Sequence, residues 1–139
     1  MTLVHATTVA VAGRALLIQG PSGSGKSGLA LEMMARGAQL VSDDQTVLTV
    51  SDKGILADAP DAIKGMIESR GIGLLNAAPA GPTPLAAVLD MSQTDGARLP
   101  PIRKIKLLGH DLPLLHNFAS PYFAAGLVQY LKGDRREHS

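Results

Sequence analysis

The chain has 139 residues and a formal net charge of +1, with 45% hydrophobic residues, 3% aromatic residues and no cysteine. That balance describes one globular domain with an aliphatic core. It excludes disulfides and thiolate chemistry, and it leaves too few aromatic rings for a base-stacking platform on single-stranded nucleic acid. Residues 3–11, "LVHATTVAV", are β-branched and partly alternating, Ala12-Gly13-Arg14 is a turn, and Ala15–Gln19 is a buried strand, together a hairpin. Residues 27–36 predict a helix with Leu29, Ala30, Met33 and Met34 on its apolar stripe and Gly37 as its stop. The methionine pair is core filler on this pattern.

A short strand over 38–42 ends in Asp43-Asp44, and 46–58 forms a second hairpin turning at Ser51–Gly54. Pro60 is expected to open a helix running to about Ile67. "ESRGIGLLN" (68–76) breaks at Gly71 and Gly73 and resumes as a strand, 77–85 is a Pro/Gly loop, and 86–91 is a strand. A polar loop over 92–101 leads to two strands about His110-Asp111, and a final helix starts at Ser120-Pro121 and runs to Lys132. Its apolar Phe123, Ala124, Leu127, Val128 and Leu131 suit a core face or an interface. Strands interleaved with two or three helices give the fold class α/β with a mixed sheet. The domain is expected over 1–133, with a frayed tail over 134–139. No apolar run is long enough to span a membrane, and no charged segment precedes an apolar stretch at the N-terminus, so the expected compartment is the cytoplasm.

One junction carries most of the chemistry. "GPSGSGKS" (20–27) matches the phosphate-binding pattern G-x-x-x-x-G-K-[ST] between an apolar strand and an amphipathic helix. Gly20, Pro21, Ser22, Gly23, Ser24, Gly25, Lys26 and Ser27 are therefore the candidate nucleotide-binding residues. The glycines let successive backbone N–H groups face phosphate oxygens without a Cβ in the way. The helix adds its positive N-terminal end, Lys26 reaches the β and γ phosphates, and the Ser27 hydroxyl can ligate Mg²⁺. At ordinary residue frequencies a chance match in a chain this short has odds of roughly 1%. Asp43-Asp44 ends the next strand on the side where the loop lies if the strands run the same way. Adjacent strand residues point to opposite faces, so the two acids should serve different roles. Glu68, Arg70 and His5 are weak signals taken singly, and Arg103-Lys104-Ile105-Lys106 fits a solvated strand face.

Taken in order along the chain, these stretches resemble the catalytic domain of the bacterial HPr kinase/phosphorylase family. The resemblance is carried by a His at the first strand ("VHATTVAV"), the phosphate loop ("GPSGSGKSGLALEMMARG"), the strand end "LVSDD" and the signature "ESRGIG", over residues 3–76. It implies a single P-loop domain with a mixed sheet flanked by helices, and an ATP- and Mg²⁺-dependent serine kinase acting on the phosphocarrier protein HPr or a paralogue. It also implies a homo-oligomer, commonly a hexamer. Asp43 would be the base at the target serine, with Lys26 and His5 near the transferred phosphate. Ser27, Glu68 and Asp44 would hold the metal, with Asp44 and Arg70 in support. Arg98, in "TDGARLPP", stands nearest to the family's "D-R-L" segment. The family's phosphorolysis-associated "P-V-R-P-G-R-N" loop corresponds here to "LPLLHNFASP", which has no arginine and holds His116 and Asn117. The chain begins almost at the His, as in forms lacking the family's extra N-terminal domain. Two other functions fit the phosphate loop: a small-molecule kinase, for which the chain leaves little room for a lid, and a nucleotide sensor, which would have no use for a base at Asp43.

Overall fold

Thr2–Val4 (β1), Ala6–Val11 (β2) and Arg14–Gln19 (β3) open the chain, and Lys26–Met34 forms helix α1. The computed structural model describes residues 1–134 and 136. The expected tail therefore falls partly outside the described residues, at Arg135 and 137–139. Strands β4 (Gln39–Ser42), β5 (Thr46–Ser51) and β6 (Gly54–Asp58) follow, then the pair β7 (Met66–Ser69) and β8 (Gly73–Asn76). The last elements are β9 (Thr83–Thr94), β10 (Arg103–Leu107), β11 (His110–Asn117) and helix α2 (Phe123–Gly133).

The β2–β3 hairpin closes through Ala12 and Gly13, both at positive φ (+54° and +74°), the geometry that matches strand twist in a two-residue turn. The main sheet runs β1-β5-β6-β9-β3-β2-β4, with β11 also paired to β9 and β10 to β11. β3 pairs parallel with β9, and β9 parallel with β11. Both α-helices, α1 and α2, cover one face. Val9, Leu16, Ile18 and Leu89 of the sheet meet Leu29 and Met33 of α1 and Leu127, Val128 and Leu131 of α2 there. The sheet curls so that its own strands cover the other face, where Ala10, Leu17, Val41, Leu48, Ile55 and Val88 pack together. The period of two along β2 and β3 divides each strand between the two cores. Met33 is fully buried and Met34 partly so, and the apolar stripe of α2 is core.

Two expectations shift. The helix expected from Pro60 to Ile67 is a single 3₁₀ turn at Asp61–Ile63, and residues 66–69 are strand β7. Four residues between Pro60 and Gly65 (φ +76°) cannot propagate a helix, and Ile67, 1% exposed, reaches the core from a strand. The strand expected over 86–91 is longer. It begins at Thr83 inside the supposed Pro/Gly loop, where Pro84 pairs with Leu56, and continues to Thr94. At the far end, Asp134 is held by an ion pair with Arg14, whose guanidinium also donates to the Leu131 carbonyl of α2 (2.8 Å).

Candidate functional site

The phosphate loop occupies the turn between β3 and α1. Gly23 and Gly25 take φ of +83° and +95°, which side chains with a Cβ rarely adopt, so the glycines are a requirement of the backbone path. Gly25 is also the residue before the helix, and no side chain caps α1. The N–H groups of the first turn are thus presented as helix termini present them to anions. A Cβ on Gly20 would stand 2.9 Å from the Cβ of Met91, so the end of β9 closes on the loop only because residue 20 is glycine. Ser24 Oγ is buried and has no hydrogen-bond partner among the described residues. Lys26 is buried, and its ammonium donates to the carbonyls of Gly20 (2.9 Å) and Pro21 (3.1 Å), which folds the side chain back along the loop.

The two acids arrive beside the loop because β2 is antiparallel to both of its neighbours, β3 and β4. β3 and β4 therefore run the same way and end at the same edge. Asp43, 8% exposed, accepts three hydrogen bonds. Its Oδ1 accepts from Ser27 Oγ (2.6 Å) and Thr7 Oγ1 (3.0 Å), and its Oδ2 from the backbone N–H of Glu68 (3.0 Å). A carboxylate gripped on both oxygens is fixed in direction. Asp44 follows at φ +67°, turns outward and pairs with His5 Nε2 at 2.7 Å. The adjacent acids thus have different surroundings, one buried in a donor cluster and one exposed in an ion pair.

Thr7 was not singled out by the sequence reading. Its hydroxyl donates to Asp43 and accepts from the Asp44 N–H (3.1 Å), so one side chain ties both acids to β2. Thr7 is fully buried, and a hydroxyl in the interior needs both bonds. The available signal was the period of two: Thr7 shares the face of His5, in a strand otherwise apolar on that face.

A cavity of about 330 Å³ over the loop is lined by Ser22, Lys26, Ser27, Asp44, Glu68 and Arg70, among others. A second, of about 500 Å³, shares Ser27, Asp44 and Glu68 with it and includes Asp43. These cavities bring together most of the residues singled out from the sequence. His5 lines neither and enters through Asp44. Arg98 is exposed and lines a separate cavity that shares no residue with the loop cavity. The donor set over the loop suits a hard cation: Ser27 Oγ and the carboxylates of Asp44 and Glu68 are all oxygen donors. Among the described residues no cluster of three or more acids or histidines forms a self-sufficient metal cage.

Comparison with known proteins supplies the family and the fold. Residues 1–80 match the family model of the HPr serine kinase C-terminal domain. The HPr kinase/phosphorylase of Geobacillus sp. (strain WCH70) is 45% identical over 76 residues, which is 54% of this chain and 24% of that protein. That of Caldicellulosiruptor bescii is 47% identical over 73 residues, 52% of this chain and 24% of the relative. The chain thus spans about a quarter of the length of these curated relatives. The solved structure of the Hpr(Ser) kinase/phosphatase from Coxiella burnetii superposes with a TM-score of 0.79 at 20% identity, covering 95% of each chain, and shows the same fold. The family match covers the loop, both acids, Thr7 and Glu68 in one stretch, and on that match the chain belongs to the HPr serine kinase C-terminal domain family.

Proposed function

We propose that this chain transfers the γ-phosphoryl group of ATP to a serine hydroxyl of the phosphocarrier protein HPr or a paralogue. The observation that carries the reading is Asp43: a carboxylate held by three donors, opening into a cavity that it shares with the phosphate-loop serine, Ser27. Phosphoryl transfer asks the protein mainly for positioning and charge neutralisation. Asp43 takes the proton from the attacking serine hydroxyl, and Thr7 with the Glu68 N–H keeps it aimed. Lys26 and the loop N–H groups bind the phosphoryl oxygens as their charge spreads. Ser27, Asp44 and Glu68 would hold Mg²⁺, which supplies charge neutralisation at the phosphates. His5 orients Asp44 through their ion pair. Arg70, at the cavity rim, supports the phosphate end.

Among the described residues no helix is long and apolar enough to cross a membrane. The cytoplasm, where ATP and the acceptor protein would meet, is a separate part of the proposal. The homo-oligomer is part of the same reading. Its support on this chain is the pair of apolar side chains that β7–β8 exposes, Ile72 (75% exposed) and Leu74 (71%).

The test is a transfer assay with γ-labelled ATP, Mg²⁺ and HPr, the label being located by mass spectrometry. Label on an HPr serine, lost in Asp43→Ala while ATP binding persists, supports the kinase and its base. Transfer at the normal rate by Asp43→Ala would sink the base assignment. Tight Mg-ATP binding with no acceptor labelled would favour the sensor instead.

A further inference from the structure

The chain has two phenylalanines and two tyrosines in 139 residues. Three of those four rings, Phe118, Tyr122 and Phe123, line one cavity of about 300 Å³ between the segment after β9 and the start of α2. An adjoining cavity of about 380 Å³ shares Phe118, Ser120 and Phe123 with it and reaches Met91 and Gly25. Gly25 also lines the cavity over the phosphate loop. Shared lining residues thus link the three cavities in series, from the loop through Gly25 to Phe118 and Phe123, and this series is the trough.

The topology gives this trough its direction. β3, β9 and β11 are parallel, so their carboxyl ends share one edge, the edge at which open α/β sheets bind ligands. The loop leaves β3. The acids lie on the flank of β2 and β4, whereas Met91 of β9 and Phe118, just past β11, lie on the opposite flank. A polyphosphate on the loop that presents its reacting end to Asp43 must extend its other end toward β9 and β11. Of the charged side chains that line these two cavities, Asp95 and His116 are engaged with one another, while Glu32 and Arg98 are exposed. Asp95 is clamped by both guanidinium nitrogens of Arg103 (2.8 and 2.9 Å), and His116 Nδ1 stands 3.5 Å from the same carboxylate. That pairing leaves the rings and the aliphatic side chains of Leu115 and Pro100 as the cavity's free walls.

Resting on the nucleotide-binding reading above, we propose that the cavity lined by Phe118, Tyr122 and Phe123 receives the base of the bound nucleotide, with Arg98 at its mouth. Aromatic side chains hold a base through its π-face, and an exposed arginine adds a cation–π contact. Arg98 then belongs to the base end of the ligand rather than to the transferred phosphoryl group.

The test is isothermal titration of the full chain with Mg-ATP and with inorganic tripolyphosphate plus Mg²⁺. ATP should bind about 10- to 100-fold more tightly, the worth of stacking one base. Phe118→Ala and Phe123→Ala should each bring ATP down toward tripolyphosphate while leaving tripolyphosphate affinity within about twofold, which also certifies that the variants fold. Phe118→Tyr should keep the preference. As a check free of substitutions, the ring protons of Phe118, Tyr122 and Phe123 should shift on adding ATP and stay in place with tripolyphosphate. Equal affinity for the two ligands, or ring signals indifferent to ATP, would overturn the base site alone. Failure of both ligands to bind would overturn the nucleotide reading and the base site with it.

Discussion

The two flanks of the phosphate loop are built from different materials. On the β2–β4 flank, Thr7, Ser27, Asp43 and the Glu68 N–H form a cluster in which each polar atom has an assigned partner. On the β9–β11 flank, the trough is walled by rings, a methionine and paired charges turned on one another. The difference follows from what each flank must grip. A carboxylate in a buried site tolerates no unpaired neighbour, so its surroundings are specified atom by atom. A flat apolar ligand needs area and shape, which many combinations of side chains supply. The family-model match, which ends at residue 80, covers the first flank and stops before the second.

Four substitutions sharpen or break that contrast. Lys26→Ala strikes the junction of the flanks and should have the largest effect, lowering transfer at least about a thousandfold and weakening both ATP and tripolyphosphate. A loss of transfer with binding intact would mean that Lys26 serves the reaction and not the grip. Thr7→Val keeps shape and removes the hydroxyl that ties Asp43 to Asp44. Turnover should fall about 10- to 100-fold with KM for ATP nearly unchanged, and Thr7→Ser should restore most of it. If Thr7→Ser were as slow as Thr7→Val, the methyl rather than the hydroxyl would be the working part. Arg98→Ala tests the other flank: KM for ATP should rise about tenfold with kcat preserved, and the reverse pattern would move Arg98 to the reacting end. Arg14→Ala lies away from both flanks. It frees the α2 carbonyls and Asp134, so stability should fall by about 1–3 kcal/mol in a denaturant titration, with KM and kcat of the folded enzyme unaltered.

The same contrast explains what could be read from the sequence. The phosphate loop was legible because its backbone demands glycine at positive φ and the chemistry demands Lys26 and Ser27 at fixed spacing. Asp43 and Asp44 were legible as a pair at a strand end, but their different environments come from the bend after β4, where Asp44 takes φ +67°, and not from strand alternation. Thr7 was passed over because a threonine in a β-branched strand looks like strand propensity, and its two hydrogen bonds depend on a register set by β4. The 3₁₀ turn at Asp61–Ile63 was mistaken for a helix because Pro60 is an equally good start for either. The aromatic cavity was invisible for a further reason. Four rings in 139 residues argue against a stacking surface when averaged over the chain, yet three of them converge once β11 and α2 are folded. Composition counts side chains and carries no information on where they meet.

The parallel pairing of β3 with β9 has a consequence for the order of events during synthesis. The loop motif is complete by residue 27, but the strand that supports it on one side is drawn from residues 83–94, and the helix that covers that junction ends at Gly133. Between those moments β3 has a hairpin partner on one edge and an unpaired edge on the other, with the apolar side chains of both faces uncovered. Closing that gap is a long-range step, slow by the usual relation between sequence separation and folding rate. The phosphate site is thus spelled in the first fifth of the chain and assembled only when nearly all of it has emerged, so a nascent chain carries the motif well before it carries the grip.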